Sequence, residues 1–249
     1  MKKLVKYFLL SLIVLFVIFV IYANYEDPEK KVEYHKEIQS YQLFLNNINK
    51  NIEKTVILGI ELENTDAELV RNLKGEDDNL EAISIYYPTL KKYTSKDTSE
   101  LKTNYDEWAW LTHDDMQDFD QFSDSSEYHI LLSLAHKIKR MKRKKMLAVI
   151  YPDATKNNNM PIFKDEENFV IGEFSGWVLL VNIDDSKIIG KYPVSTESSE
   201  TIEYQTGGTG ARSLLNENPK VAVKEDFINN FKKAIEKAIP EELDIKIAL

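Results

Sequence analysis

WVLLVNIDDSKIIGKYPV, residues 177–194, decides the architecture. Trp177, Leu179, Val181 and Ile183 alternate with Val178, Leu180 and Asn182, the period of two that a strand requires. Residues 187–194 have the β-branched and aromatic content of a second strand, and Asp184-Asp185-Ser186 supplies turn chemistry between them. The stretch predicts an antiparallel hairpin. Val178, Leu180 and Asn182 face one side; Trp177, Leu179, Val181 and Ile183 face the other.

Further elements follow outward from the hairpin. Residues 169–174 read as a preceding strand and 201–205 as a short following one, which together make a meander. MLAVIY, residues 146–151, is a continuous apolar run and predicts a central strand buried on both faces. Upstream, Leu131, Leu134, Ala135 and Ile138 share one face of a helix over 125–142, with Asp124 and Glu127 at capping-box spacing. Residues 80–87 form a second strand candidate that Pro88 stops, and 89–103 read as a polar loop. TVILGIEL, residues 55–62, reads as a buried strand, and 66–73 as a short helix ending near Gly75. Val223, Phe227, Phe231, Ile235 and Ala238 predict a terminal amphipathic helix stopped at Pro240.

At the other end, Asp27-Pro28-Glu29 is a helix-start signal: a capping side chain, a proline suited to the first turn and an acid that complements the dipole. Val32, Ile38, Tyr41, Leu45, Ile48 and Ile52 then recur at near-helical spacing, which predicts a helix over 28–51. Before it, residues 7–23 contain no charge. Counted from Leu4, the run spans about 20 residues, or ~30 Å as a helix, the thickness of a bilayer core. Tyr7 and Tyr22 lie where interfacial aromatics belong, and Lys6 can reach the headgroups. The apolar stretch exceeds a signal-peptide core, and Ile21 is a poor residue three before a cleavage after Ala23. The run therefore reads as a retained single-pass anchor.

The expected fold class is α+β: an N-terminal transmembrane helix, then a mainly antiparallel sheet packed with amphipathic helices. Residues 1–25 are the anchor, 26–52 a juxtamembrane helix and 53–249 an extracytoplasmic domain. The formal net charge of −9 repels phosphate backbones, so nucleic acid is not an expected partner. The absence of cysteine excludes disulfides, thiolate catalysis and cysteine-ligated zinc. No cofactor or metal is expected.

Two groups of residues stand out as candidate sites. Trp108 and Trp110 sit among Glu107, Asp114 and Asp115, where flat rings and carboxylates suit a sugar or a cationic partner. Residues two apart should point to different faces, which leaves one ring available to a ligand. Gly207, Gly208 and Gly210 with Arg212 could cradle a phosphate on backbone amides, although no Walker lysine follows. A basic run, His136 to Lys145, closes the helix over 125–142 and reads as a solvated helix end. No active-site signature is present. The expected function is a membrane-anchored interaction domain with a protein partner in a bacterial cell envelope. The rival expectation is a tethered hydrolase or binding module for envelope glycans.

Overall fold

The structure, a computed structural model, describes residues 27–57, 70, 73, 80–94, 106–117, 127–164, 168–202 and 219–248. Its helices are α1 (Pro28–Ile52), α2 (Tyr87–Thr94), α3 (Asp114–Gln117), α4 (Tyr128–Arg143) and α5 (Pro219–Ala238). The main sheet comprises β1 (Leu80–Tyr86), β2 (Met146–Pro152), β5 (Glu173–Asn182), β6 (Ile188–Glu197) and β7 (Ile245–Ala248) in the order β6-β5-β2-β1-β7. A two-stranded ribbon joins β3 (Ile162–Phe163) to β4 (Phe169–Val170).

The expected hairpin is present. β5 and β6 pair antiparallel with Trp177 opposite Pro193 and Val178 opposite Tyr192, and the register slips by one residue after Leu180. Val178 and Leu180 enter one core, Leu179 and Val181 the other, with Trp177 and Ile183 packed against the second. β2 lies at the centre of the sheet, and its residues Met146 to Ile150 are all buried.

The class is α+β, but the sheet is mixed rather than mainly antiparallel. β2–β5 and β5–β6 are antiparallel; β1–β2 and β1–β7 are parallel. The physical reason is the connections. A parallel neighbour needs a crossover long enough to hold a helix, and the chain between β1 and β2 contains α2 and α4. β7, which the sequence reading did not anticipate, is only four residues long and enters beside β1 after α5.

Each face of the sheet carries its own core. Phe227, Phe231 and Ile235 of α5, with Trp108 and Leu111, cover Ala82, Met146, Ala148, Ile150 and Val178. Ile38, Tyr41, Leu45, Ile48 and Ile52 of α1, with Leu131, Leu134 and Ile138 of α4, cover Ile83, Ile85, Leu147, Val149 and Leu179. α1 starts as its sequence directs: Asp27 accepts from the amides of Glu29 and Lys30 at 3.0 and 3.3 Å, with Pro28 in the first turn. Val32 is 54% exposed and so lies off the buried face assigned to it.

Other local differences have local causes. Residues Glu53–Ile57 form a π-helical turn that continues α1, where a strand over 55–62 was expected; residues 58–62 lie outside those described. Pro88 does not merely end β1. It occupies the first turn of α2, in the stretch expected to be a loop, because proline's fixed φ suits that position. α4 is capped by Glu127 with no side-chain hydrogen bond, so Glu127 is the cap itself and not the third residue of a capping box. The strand expected over 169–174 is interrupted at Gly172, where an added Cβ would lie 2.5 Å from the Pro161 ring. Thr201 and Ile202 are not in a strand.

Full burial of an aliphatic side chain is worth roughly 1.5–3 kcal/mol. Leu45→Ala and Phe227→Ala, one on each face, should each destabilise the protein by about 2–5 kcal/mol in denaturant titrations. Val32→Ala should stay within about 0.5 kcal/mol of wild type. A cost below about 1 kcal/mol for Leu45→Ala would place α1 outside the core.

Candidate functional site

Trp108 and Trp110 lie on a 3-10 turn, Asp106–Leu111. Polar ties hold it against β1. The Tyr86 amide donates to Thr112 Oγ1 at 3.1 Å, the Thr112 hydroxyl lies 3.2 Å from that of Thr89, and the His113 amide donates to the Ser84 carbonyl at 3.0 Å. Trp108 is a core residue, 2% exposed, with Tyr86, Phe174 and Phe227 around it at 5.5–6.0 Å between ring centres. Trp110 is half-buried. It stacks on Trp108 at 6.3 Å and meets Phe231 edge-on at 5.3 Å. The two rings therefore point the same way, onto α5, and not to different faces. A turn of three residues brings i and i+2 within about 120° of each other, close enough for large rings to touch.

Among the described residues, Trp110 Nε1 and Ser84 Oγ are buried without a hydrogen-bond partner. Asp114 is exposed; the side chains of Glu107 and Asp115 lie outside what is described. Gly207, Gly208, Gly210 and Arg212 also lie outside the described residues. No group of three or more His, Asp or Glu side chains suited to a metal occurs among the described residues.

A second constellation, which sequence reasoning missed, forms at the carboxyl ends of the parallel strands β1 and β2. This is where open sheets with parallel strands commonly present ligands. Tyr87, Tyr151 and Trp177 make a continuous half-buried strip, with ring centres 4.4 and 6.0 Å apart. Tyr151 and Trp177 are direct cross-strand partners, and Lys191 Nζ sits 5.0 Å from the Trp177 ring centre. Gly176 allows this approach, because a Cβ there would lie 2.2 Å from the Tyr151 carbonyl oxygen.

Carboxylates border the strip. Glu53 opens the π-helical turn at the end of α1 and accepts from Asn49 Nδ2 at 3.3 Å. Such turns recur at functional sites. Asn49 Oδ1 is buried without a partner among the described residues. Asp153 accepts from the amide and hydroxyl of Thr155 at 2.9 and 2.8 Å, and these bonds hold its carboxyl below the usual range. Asn158 pins the same loop, donating to the Asp153 carbonyl at 2.9 Å and accepting from the Ser175 amide at 2.8 Å. The signal available in the sequence was the pair of aromatic-proline endings, Tyr87-Pro88 and Tyr151-Pro152, on the two parallel strands.

Burial first, then Tyr151 and Glu53, raises the pKa of the Tyr87 phenol well above its ordinary value of 10.0. Burial, then Glu53 and Asp153, raises that of Tyr151; burial alone raises that of Tyr86. Two grooves flank α5. The one beside β7, about 520 Å³, is lined by Ile235, Ile239, Ile245 and Ile247 among others. The one beside β6, about 450 Å³, includes Pro193, Asn230 and Lys237. Neither includes Trp110 or the aromatic strip.

No family model, curated protein or solved structure matches the chain.

The raised phenols make a signed pH prediction. In the unfolded chain these tyrosines ionise near 10, whereas the folded state keeps them protonated to higher pH. Stability is therefore at full value below pH 10 and falls as pH rises through the interval up to the folded pKa values. Denaturant midpoints measured from pH 9 upward should decline from about pH 10, and Tyr86→Phe with Tyr87→Phe should flatten the slope. An unchanged slope in the double variant would contradict the burial of these phenols.

Proposed function

We propose that this chain is a membrane-tethered interaction domain, held by residues 4–23 and binding an envelope partner through the strip of Tyr87, Tyr151 and Trp177. The observation that supports this reading most is the strip itself. Three half-buried rings lie between two carboxylates and a lysine, at the strand ends where a parallel pair presents its loops. Aromatic rings with one wet face bind by apolar contact while their polar ends fix orientation.

The tether reading rests on the uncharged run and on its junction with the domain. Among the described residues no helix is long and apolar enough to cross a membrane; residues 4–23 lie outside them. Asp27 starts α1 four residues after Ala23, so the proposed anchor leads directly into a helix that forms one wall of the core. Lys2, Lys3 and Lys6 before the run favour the N-terminus inside and the domain outside. A glycan is the second ligand class that the strip favours, because sugar rings stack on Trp and Tyr faces.

Full-length protein should sediment with membranes and resist carbonate extraction, while an alkaline phosphatase fusion after Leu249 should be active. Intact protein in the soluble fraction would overturn the tether, and an inactive phosphatase with a bright fluorescent-protein fusion would reverse the orientation. Trp177→Ala should abolish the cross-links formed in intact cells by a photoreactive group placed at Tyr151. Its melting temperature should fall by only a few degrees, as about 1–2 kcal/mol implies for a chain of this size. An unchanged cross-link pattern would remove the strip from the binding surface.

A further inference from the structure

α4 contains no acidic residue, yet its second half holds Lys137, Lys139, Arg140, Lys142 and Arg143. Solvated helix faces gain stability from acids three or four residues from each base, and like charges at that spacing cost a few tenths of a kcal/mol. Lys139 and Arg143 are four apart, and both are exposed. The helix dipole accounts for cations in the last turn, Arg140 to Arg143, but not for Lys139 before it.

The cations divide by direction. Lys142 is tied to Glu37 of α1 at 3.5 Å, Lys144 to Glu81, and Lys145 to the Leu73 carbonyl at 2.9 Å. Arg140 and Arg143 instead lie on the side away from the buried Leu131, Leu134, Ala135, Ile138 and Met141, and exposed Lys139 borders that side, four residues after Ala135 and four before Arg143. Lys139 and Arg143 have no anionic partner among the described residues.

We propose that the stripe of Lys139, Arg140 and Arg143 docks on anionic phospholipid headgroups of the membrane that tethers the chain, on whichever side the domain lies. The proposal rests on the tether reading. It adds that the domain lies against the bilayer with α4 outward from its core and toward the lipid. Position favours lipid over a soluble polyanion. Glu37, the partner of Lys142, is ten residues into α1, ~15 Å along the helix from its first residue, the end of the domain that the proposed tether joins. A net charge of −9 opposes nucleic acid at long range, whereas a tether removes that barrier for lipid by holding the stripe nearby. Clusters of basic residues close to a membrane anchor bind anionic headgroups in this way. The anchor provides retention; the stripe sets orientation.

The chain has no cysteine, so a single fluorophore can be placed at Ser133→Cys, on the same exposed side of α4, or at the control Thr155→Cys. Thr155 lies beyond the far end of β2, on the order of 20 Å from the end of α4. Full-length protein is reconstituted in nanodiscs of phosphatidylcholine with or without phosphatidylglycerol, with a headgroup-attached quencher in each. The label at 133 should be quenched roughly twofold more in the anionic discs, and the label at 155 should not. Salt at 1 M, with a Debye length of about 3 Å, should abolish the difference. Lys139→Glu with Arg143→Glu should abolish it too, with an unchanged melting temperature. If that variant unfolds, the salt series and Lys139→Gln with Arg143→Gln decide the matter. Equal quenching in both discs, or binding of heparin without headgroup quenching, would overturn the docking. A chain that washes off both kinds of disc would overturn the tether itself, a different failure.

Discussion

β2 is apolar on both faces, and that constraint organises the molecule. Met146, Ala148 and Ile150 point one way, Leu147 and Val149 the other, and none of the five reaches solvent. A strand of this kind cannot sit in a two-layer fold with one wet face. Its flanks must be paired and both surfaces covered. The first need places β1 and β5 on either side of it. The second calls for two helical layers, supplied on one side by α5 and on the other by α1 with α4.

The same constraint bears on α1. As a bare stalk, α1 would leave Ile83, Ile85, Leu147 and Val149 partly uncovered. As a wall of the core, it is itself fixed against the sheet. Its end then delivers Glu53 to the edge of the aromatic strip, and its Glu37 anchors the basic end of α4. The proposed binding strip and lipid-facing stripe are thus both positioned by one helix.

The legible parts of the sequence were those with a strong period or a strong local rule. The hairpin of β5 and β6, the central β2, and the buried faces of α1 from Ile38 onward, α4 and α5 follow from spacing alone. Strand direction was not legible, because whether Met146–Pro152 runs with or against Leu80–Tyr86 depends on connections that carry no local signal. β7 is too short for its alternation to register. The direction of the two tryptophan rings was not legible, because a 3-10 turn, not a strand or an α-helix, holds them, and because the partner rings Phe227 and Phe231 lie more than a hundred residues away. The strip of Tyr87, Tyr151 and Trp177 was hidden for a similar reason: each ring is unremarkable in its own segment, and only strand pairing brings them together.

Hydrogen exchange on the full-length chain in detergent tests most directly whether α1 is a wall of the core. Amides between Ile38 and Ile52 should open only with the whole domain and show the same free energy of exchange as those of β2. Exchange of that stretch orders of magnitude faster than β2, with β2 still fully protected, would make α1 a peripheral stalk and contradict the account.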